Sequence, residues 1–232
     1  MVLITDILKE EEFGGSSPLY SFSLSMVLSN TPYASRYLCK RGSELISQPI
    51  KGTAGRKADP NKDRQVIFEL QNDLKERSEN IMITDLVRND LSKIASKGSV
   101  EVVELCKVYS FKQVHQMIST ITAKVSGSTN PIMCIENTFP MGSMTGAPKL
   151  SAMQIIESLE NTKRGLYSGS IGYFEPNGDF DFNVVIRSIL YNSEKPYVSF
   201  SVGSAITAQA TPEEEYEECL LKAKAMRETL EA

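Results

Sequence analysis

The first part of the chain carries a pattern typical of short strands. Apolar and polar residues alternate in the segments 19–29, 34–40 and 44–48, as they do in strands with one buried face. Gly42 and Ser43, which follow Arg41, separate the last two segments and predict a hairpin turn.

The longest helical pattern runs from Asp63 to Ala95. No proline or glycine interrupts it, and the pattern allows one break. The charged stretch before it, which ends at Lys62, predicts a loop. Glu76 and Glu79 are three residues apart and so share a helix face, for which a solvated surface is the ordinary explanation. The apolar positions expected to pack are Val66, Leu70, Leu74, Ile81, Leu86 and Ile94.

Strand patterns return after Gly98. Residues 99–111 and 113–125 predict two strands, or a strand and a short helix, and 131–137 predicts a short helix. Between 164 and 207 three alternating segments surround an Asn-Gly turn, and Pro212 opens a C-terminal helix.

The segment 139–160 joins a glycine-containing loop to a helix. Its helical part has an apolar stripe at Leu150, Met153, Ile156 and Leu159. A loop that leads into a helix N-terminus suits an anion, whereas an ordinary glycine-rich turn that caps a core helix is the alternative.

The composition limits the classes of function that we expect for this chain. The 232 residues are 41% hydrophobic with a net charge of −4 and no basic stripe, which gives no reason to expect nucleic acid or a membrane. The acidic start is unlike a secretory signal, so we expect a cytoplasmic protein. We expect a loose segment, 1–17, before one domain, 18–232.

Candidate chemistry is limited by the presence of one histidine and four scattered cysteines. A zinc site or a disulfide framework is not indicated. Catalysis would rest on carboxylates, lysine, arginine, tyrosine and backbone groups, with Mg²⁺ as the metal that such ligands suit.

Eight segments, in order, resemble the chorismate-utilising enzymes, a family that includes anthranilate, aminodeoxychorismate, isochorismate and salicylate synthases. The resemblance implies an α+β fold of two packed antiparallel β-sheets (a sandwich) with helices outside, and it covers only the C-terminal, chorismate-binding half of a family member. The segments are PIKGT (49–53), SENIMITDLVRNDLSKIA (78–95), QMIST (116–120), FPMGSMTGAPKLSAMQIIESLE (139–160), RGLYSGSIGYF (164–174), DFNVVIRS (181–188), GSAIT (203–207) and EEEYEECLLKA (213–223).

The resemblance also implies a Mg²⁺ site. Glu79 and Glu218 match the family's metal-binding glutamates, and Glu76 and Glu215, about one turn earlier on each helix, would hold the metal's waters. We therefore count Glu79, Glu218 and Glu215 as metal ligands, and Glu76 as a catalytic candidate. The residues implied for the substrate are Thr145, Gly146, Ala147, Tyr167, Arg187, Gly203, Ser204, Ala205 and Lys222.

Lys51 indicates which of the family's reactions to expect. Lysine in PIKGT resembles the aminodeoxychorismate synthases, whereas the anthranilate and isochorismate enzymes usually have alanine. The family mechanism implies attack of a neutral Lys51 amine on ring carbon 2, then addition of ammonia from a glutamine amidotransferase subunit, giving 4-amino-4-deoxychorismate for folate synthesis. Neutrality requires a desolvated site. The alternatives are another chorismate enzyme, or a truncated homologue that binds without turnover.

Two positions depart from the family pattern. Ser35 stands where the family has a glutamate, and Gln116 stands where it has a histidine. A glutamine can hydrogen-bond a leaving hydroxyl but cannot shuttle a proton, and Gln116 is the third catalytic candidate. His115 is its neighbour on a predicted strand and would point to the opposite face.

Overall fold

The computed structural model describes residues 2–3, 36–112, 114–192, 197–208 and 210–231. Contacts divide these residues into two units. The first holds 2–3, 36–163 and 169–184, apart from the gap above, and the second holds 164–168 and the described residues from 185 onward. Most of the predicted loose segment, the predicted strand 19–29 and Ser35 lie outside the described residues.

An eight-stranded antiparallel sheet organises the first unit. Its order is β1-β7-β8-β2-β3-β6-β4, with β5 also paired to β6. The predicted hairpin turn at Gly42 is confirmed, since Lys40 pairs with Leu45 across it. The strands are β1 (Val2–Leu3), β2 (Arg36–Arg41), β3 (Glu44–Gln48), β4 (Ile50–Gly55), β5 (Glu101–Ser110), β6 (Val114–Lys124), β7 (Ser170–Phe174) and β8 (Phe180–Val184).

Helices belong to both units. The first unit contains α1 (Pro60–Asn72), α2 (Leu74–Ser92), α3 (Pro131–Thr138) and α4 (Lys149–Leu159). The second contains α5 (Pro212–Glu231) and a small sheet of β9 (Leu190–Asn192) and β10 (Tyr197–Ser199). Antiparallel strands together with helices confirm the α+β class. Among these five helices, none combines the length and apolarity needed to cross a membrane.

The long helical pattern breaks once, at Asp73. The Asp73 side chain accepts a hydrogen bond from the Glu76 amide and caps α2. The loop predicted up to Lys62 is shorter than expected, because β4 continues to Gly55 and α1 begins at Pro60. Asp59 caps α1 by accepting from the second and third amides that follow it.

Helices α1 and α2 pack against β4, β5 and β6. Leu70 of α1, Cys106 of β5 and Met117 of β6 form one buried apolar cluster. The predicted packing positions on α2 are partly wrong, because Leu74 is 84% exposed and Ile81 38% exposed. Three polar residues of α2 are buried instead: Asn80, Thr84 and Asp90.

The loop and helix predicted in 139–160 are present, but the apolar stripe does not form a core face. Leu150 and Leu159 of α4 are 69% and 72% exposed, and α4 has no buried residue. The loop itself packs closely, since a Cβ atom on Gly142 would lie 2.6 Å from Leu86 of α2. Only a glycine permits this approach.

Candidate active site

Lys51 and Glu79 form a partly buried ion pair in the first unit. Lys51 lies on β4 and Glu79 on α2, with 3.4 Å between Nζ and Oε2. Their side chains are 23% and 13% exposed. The candidate nucleophile and a candidate metal ligand, which are 28 positions apart, therefore meet because α2 packs on β4.

Gly52 allows β4 to approach the two helices. Its φ of +90° is a conformation that side chains rarely adopt. A Cβ atom there would lie 3.2 Å from Leu70 and from Met117, and 3.3 Å from Oε2 of Glu76. The Glu76 carboxylate thus lies beside the backbone next to Lys51.

Burial raises the pKa of Glu76 above its ordinary value, and the negative charges of Glu79 and Asp73 raise it further, while Lys51 opposes them. Two carboxylates on one helix face are a chemically suitable start for a Mg²⁺ site, because that ion prefers oxygen ligands and keeps several waters. Within the described ranges, no three His, Cys, Asp or Glu side chains form a group that could hold a metal ion. Among the described residues, the side chains around Glu76 and Glu79 therefore do not complete a coordination shell by themselves.

Gln116 presents a buried acceptor. It lies on β6 opposite Thr53 of β4 and Tyr109 of β5, and it is 2% exposed. Its Oε1 has no hydrogen-bond partner in the described part of the chain. Buried polar atoms normally have a partner, so Oε1 is available to a donor such as a substrate hydroxyl.

His115 belongs to a separate network. Its Nε2 lies 2.9 Å from Oδ1 of Asp63 and its Nδ1 lies 2.8 Å from Oγ of Ser110. Hydrogen bonds from Arg56, from the Lys57 amide and with His115 hold the pKa of Asp63 well below its ordinary value. Both ring nitrogens of His115 are therefore occupied by a network that joins the start of α1 to β5 and β6.

Lys149 anchors the loop that precedes α4. Its Nζ lies 2.5 Å from Oδ2 of Asp90, 3.0 Å from the Thr138 carbonyl and 2.6 Å from the Pro140 carbonyl. Desolvation lowers the pKa of Lys149, and the ion pair with Asp90 opposes that effect. All three Lys149 donors thus serve the loop rather than a ligand.

Thr145, Gly146 and Ala147 lie on that loop. The Thr145 hydroxyl donates within it, to the carbonyls of Met141 (3.2 Å) and Gly142 (3.3 Å). The amides of Gly146 and Ala147 donate to no group in the described residues. Two of the three predicted substrate donors are therefore free, and the Thr145 hydroxyl is already used.

Candidate residues of the second unit group around α5. Lys222 Nζ lies 2.5 Å from Oε1 of Glu218 and 3.0 Å from the Gly203 carbonyl. Ser204 donates to Glu215, which is 5% exposed. The segment 203–204 therefore contacts the predicted metal ligand Glu215 and the predicted substrate lysine, Lys222.

Tyr167 lies close to Gly203. A Cβ atom on Gly203 would lie 2.7 Å from the Tyr167 hydroxyl oxygen, so a larger residue there would require Tyr167 to shift. Ala205, the next residue but one, is partly buried. The structure thus brings together six of the candidate residues: Tyr167, Gly203, Ser204, Glu215, Glu218 and Lys222.

Arg187 lies where a predicted strand ends early. The sequence predicts one strand over 181–191, but β8 ends at Val184, β9 begins at Leu190, and Arg187 has a φ of +52°. Its side chain makes no hydrogen bond or ion pair with another described residue. Although Arg187 is exposed, enough protein surrounds the guanidinium that desolvation lowers its pKa. A guanidinium without a partner carboxylate suits a substrate carboxylate.

Two residues of the first unit escaped the sequence interpretation: Asn80 and Asp90. Both lie on the buried face of α2 and bond to residues of the site or its loop. The available signal was their spacing, because each falls three or four residues from a buried apolar position, Ile83 or Leu86.

Comparisons with known proteins indicate the family of this chain. A family model described as chorismate binding enzyme matches residues 19–228. The chain is 46% identical over 185 residues to aminodeoxychorismate synthase, chloroplastic, of Arabidopsis thaliana, an overlap of 80% of this chain and 20% of that protein. It is 40% identical over 205 residues to aminodeoxychorismate synthase component 1 of Salmonella typhimurium, with 88% and 44% covered.

Among solved structures, anthranilate synthase component I of Streptococcus pneumoniae superposes with a TM-score of 0.72 at 29% identity, covering 83% of this chain and 42% of that one. The chain thus spans less than half the length of these relatives. All eight motifs, from 49 to 223, fall inside the matched range. This chain belongs to the chorismate binding enzyme family.

Proposed function

We propose that the chain carries the catalytic residues of an aminodeoxychorismate synthase component I, a transferase that converts chorismate and ammonia to 4-amino-4-deoxychorismate. The observation that carries the proposal is the placement of Lys51, partly buried, 3.4 Å from Glu79 and close to Glu76. The Salmonella typhimurium relative is named aminodeoxychorismate synthase component 1 and the Arabidopsis thaliana relative aminodeoxychorismate synthase, chloroplastic, which supports the proposal.

In the proposed reaction the Lys51 amine attacks ring carbon 2, and the 4-hydroxyl leaves as water with the proton that Glu76 has taken from Lys51. Ammonia then forms a bond to carbon 4 while the bond from Lys51 to carbon 2 breaks. Lys51 must first lose its proton, and the raised pKa of Glu76 makes that carboxylate a suitable acceptor. The orphan Oε1 of Gln116 would accept a hydrogen bond from the leaving hydroxyl group.

The substrate's carboxylates would be met by separate donors. In the second unit these are the unpaired Arg187 guanidinium, Tyr167, Lys222 and the 203–205 backbone. In the first unit they are the free amides of Gly146 and Ala147. Fixed cationic and N–H donors orient the ring before Lys51 attacks.

We also propose that Glu79, Glu215 and Glu218 bind Mg²⁺, with Glu76 acting through water. The support is the sequence resemblance and the unfavourable crowding of Glu76 with Glu79, which a cation would relieve. When bound, Mg²⁺ would neutralise a substrate carboxylate. We further propose that ammonia comes from a glutamine amidotransferase subunit in folate synthesis, and that the protein acts in the cytoplasm.

Product analysis tests the proposed reaction. The chain is incubated with chorismate, Mg²⁺ and an ammonium salt, and products are separated by chromatography. We expect aminodeoxychorismate, and Lys51→Ala should lower its formation about a hundredfold or more, the scale on which single catalytic groups act. Lys62→Ala, at an exposed lysine of α1, is the control and should leave the rate unchanged.

Two outcomes favour other functions. Formation of anthranilate without aminodeoxychorismate would assign the chain to anthranilate synthesis, an alternative supported by its likeness to the Streptococcus pneumoniae enzyme. Calorimetric binding of chorismate without any product would indicate a homologue that binds without turnover. The placement of Gln116, which cannot shuttle a proton, supports that alternative.

A further inference from the structure

Asn80 is a fully buried polar residue in the core face of α2. Its exposed fraction is 0%, and it follows Glu79 directly in the chain. A buried amide is costly unless each polar atom has a partner. The partners of Asn80 therefore restrict how α2 can lie on the sheet.

The amide nitrogen of Asn80 points between two strands of the site. Nδ2 lies 3.3 Å from the Met117 carbonyl on β6 and, in a longer contact, 3.5 Å from the Lys51 carbonyl on β4. These carbonyls belong to the candidate nucleophile and to the residue after Gln116. The Asn80 donor thus contacts the backbone of Lys51 and of Met117, the residue directly after Gln116.

The amide oxygen is held just as closely. Oδ1 accepts from Ser119 Oγ at 2.5 Å and lies 3.5 Å from Thr84 Oγ1. Ser119 Oγ in turn accepts from the Cys106 amide on β5 at 2.9 Å. Because its oxygen is fixed by these neighbours, the Asn80 side chain cannot flip or turn away from the two carbonyls.

We infer that Asn80 is a positioning residue that keeps Lys51 of β4 against Glu79 of α2. This inference rests on the proposed function of Lys51 as nucleophile. If the Asn80 donor is removed, the Lys51 and Met117 carbonyls each lose a contact with it. Strand β4 can then shift relative to α2. Misplacement of a reacting group by an ångström is enough to slow a reaction strongly.

The test compares Asn80→Leu and Asn80→Asp with Thr84→Val in the full chain. Thr84 is also buried on α2 but contacts neither catalytic strand carbonyl, so its variant controls for loss of a buried polar group. Asn80→Asp keeps an acceptor for Ser119 but replaces the amide donor by a carboxyl oxygen, which adds a negative charge when it is ionised. It provides a second variant if the leucine variant does not fold.

Two measurements are made on each variant. Steady-state kinetics should show kcat reduced about ten- to a hundredfold in the Asn80 variants, with KM changed far less. Acetylation of Lys51 by acetic anhydride, measured by peptide mass spectrometry relative to exposed Lys62, should become about two- to fivefold faster, as expected when a partly exposed ion pair is lost.

Thr84→Val should lower thermal stability but leave both measurements near those of the unmodified chain. Equal Lys51 acetylation in all variants would overturn the inference and leave Asn80 a purely structural residue. The acetylation measurement does not depend on catalysis. If Lys51→Ala turned over normally, the proposed function would fail, yet acetylation would still decide whether Asn80 positions Lys51.

Discussion

At the scale of single residues, Glu76 reduces the stability of the folded chain. Burial and two neighbouring carboxylates raise its pKa, so the folded protein binds its proton more tightly than the unfolded chain does. This unfavourable contribution to stability is absent at pH values below the ordinary pKa of glutamate. It grows as the pH rises through that value and is complete above the raised pKa of the folded state.

We predict that Glu76→Gln stabilises the metal-free chain at neutral pH. The gain should be roughly 0.5–1 kcal/mol, in the lower part of the range for stabilising substitutions, since Glu76 is only half-buried. Urea unfolding at pH 7 and pH 4, with a chelator present, measures it.

The advantage should disappear at pH 4, where both states hold the proton. Glu69→Gln, at an exposed position of α1, is the control and should change stability little at either pH. A Glu76→Gln variant less stable than the unmodified chain at pH 7 would contradict the assigned crowding.

At the scale of elements, the loop before α4 depends on one buried ion pair. Asp90 of α2 is bonded by Lys149, whose side chain is 14% exposed, and by Lys93, whose side chain is 46% exposed. Removal of Lys149 leaves the buried Asp90 carboxylate with only the exposed Lys93, and loss of a buried partner costs far more than loss of a surface one. The two lysines that bond to Asp90 therefore contribute differently to the free energy of unfolding.

We predict that Lys149→Met destabilises the chain by about 3 kcal/mol. Lys93→Met removes a cation from the same carboxylate at the surface and should cost less than about 1 kcal/mol. Denaturant unfolding of both variants measures the difference. Equal losses would mean that Lys149 does not anchor the loop.

At the scale of the whole molecule, the candidate residues are shared between two units. Lys51, Glu76, Glu79 and Gln116 belong to the first, and the residues around α5 belong to the second. A ligand that binds only the folded chain raises its stability by mass action, by about 2.7 kcal/mol at a hundredfold excess over Kd. Thermal unfolding therefore reports on the proposed ligands without any need for turnover.

We predict that chorismate raises the melting temperature more with Mg²⁺ than without it. Glu79→Gln and Glu218→Gln should each abolish the Mg²⁺-dependent part, because each removes a proposed carboxylate ligand. Glu69→Gln should retain it. A Mg²⁺ response that persists in both site variants would rule out these glutamates as ligands.

Local features of the chain could be predicted from the sequence. The turn at Gly42 and the start of α5 at Pro212 follow from short-range rules about turns and caps. The pattern also allowed one break in the long helix, although not its place at Asp73, and the α+β class followed from the motif resemblance. The motif resemblance also identified residues that lie together within each unit, such as Lys51 with Glu79 and Lys222 with Glu218.

Tertiary packing determined the features that local sequence rules cannot predict. The buried face of α2 includes Asn80 and Asp90 because their partners, Met117 and Lys149, come from distant segments. The early end of β8 before Arg187 is likewise absent from the alternating pattern. A periodic pattern defines an element and its possible faces, whereas the contacts made by other segments select the face and set the pKa of each buried group. By itself the sequence therefore determined the elements and the family, and only the packed structure decided which polar groups hold the candidate site in place.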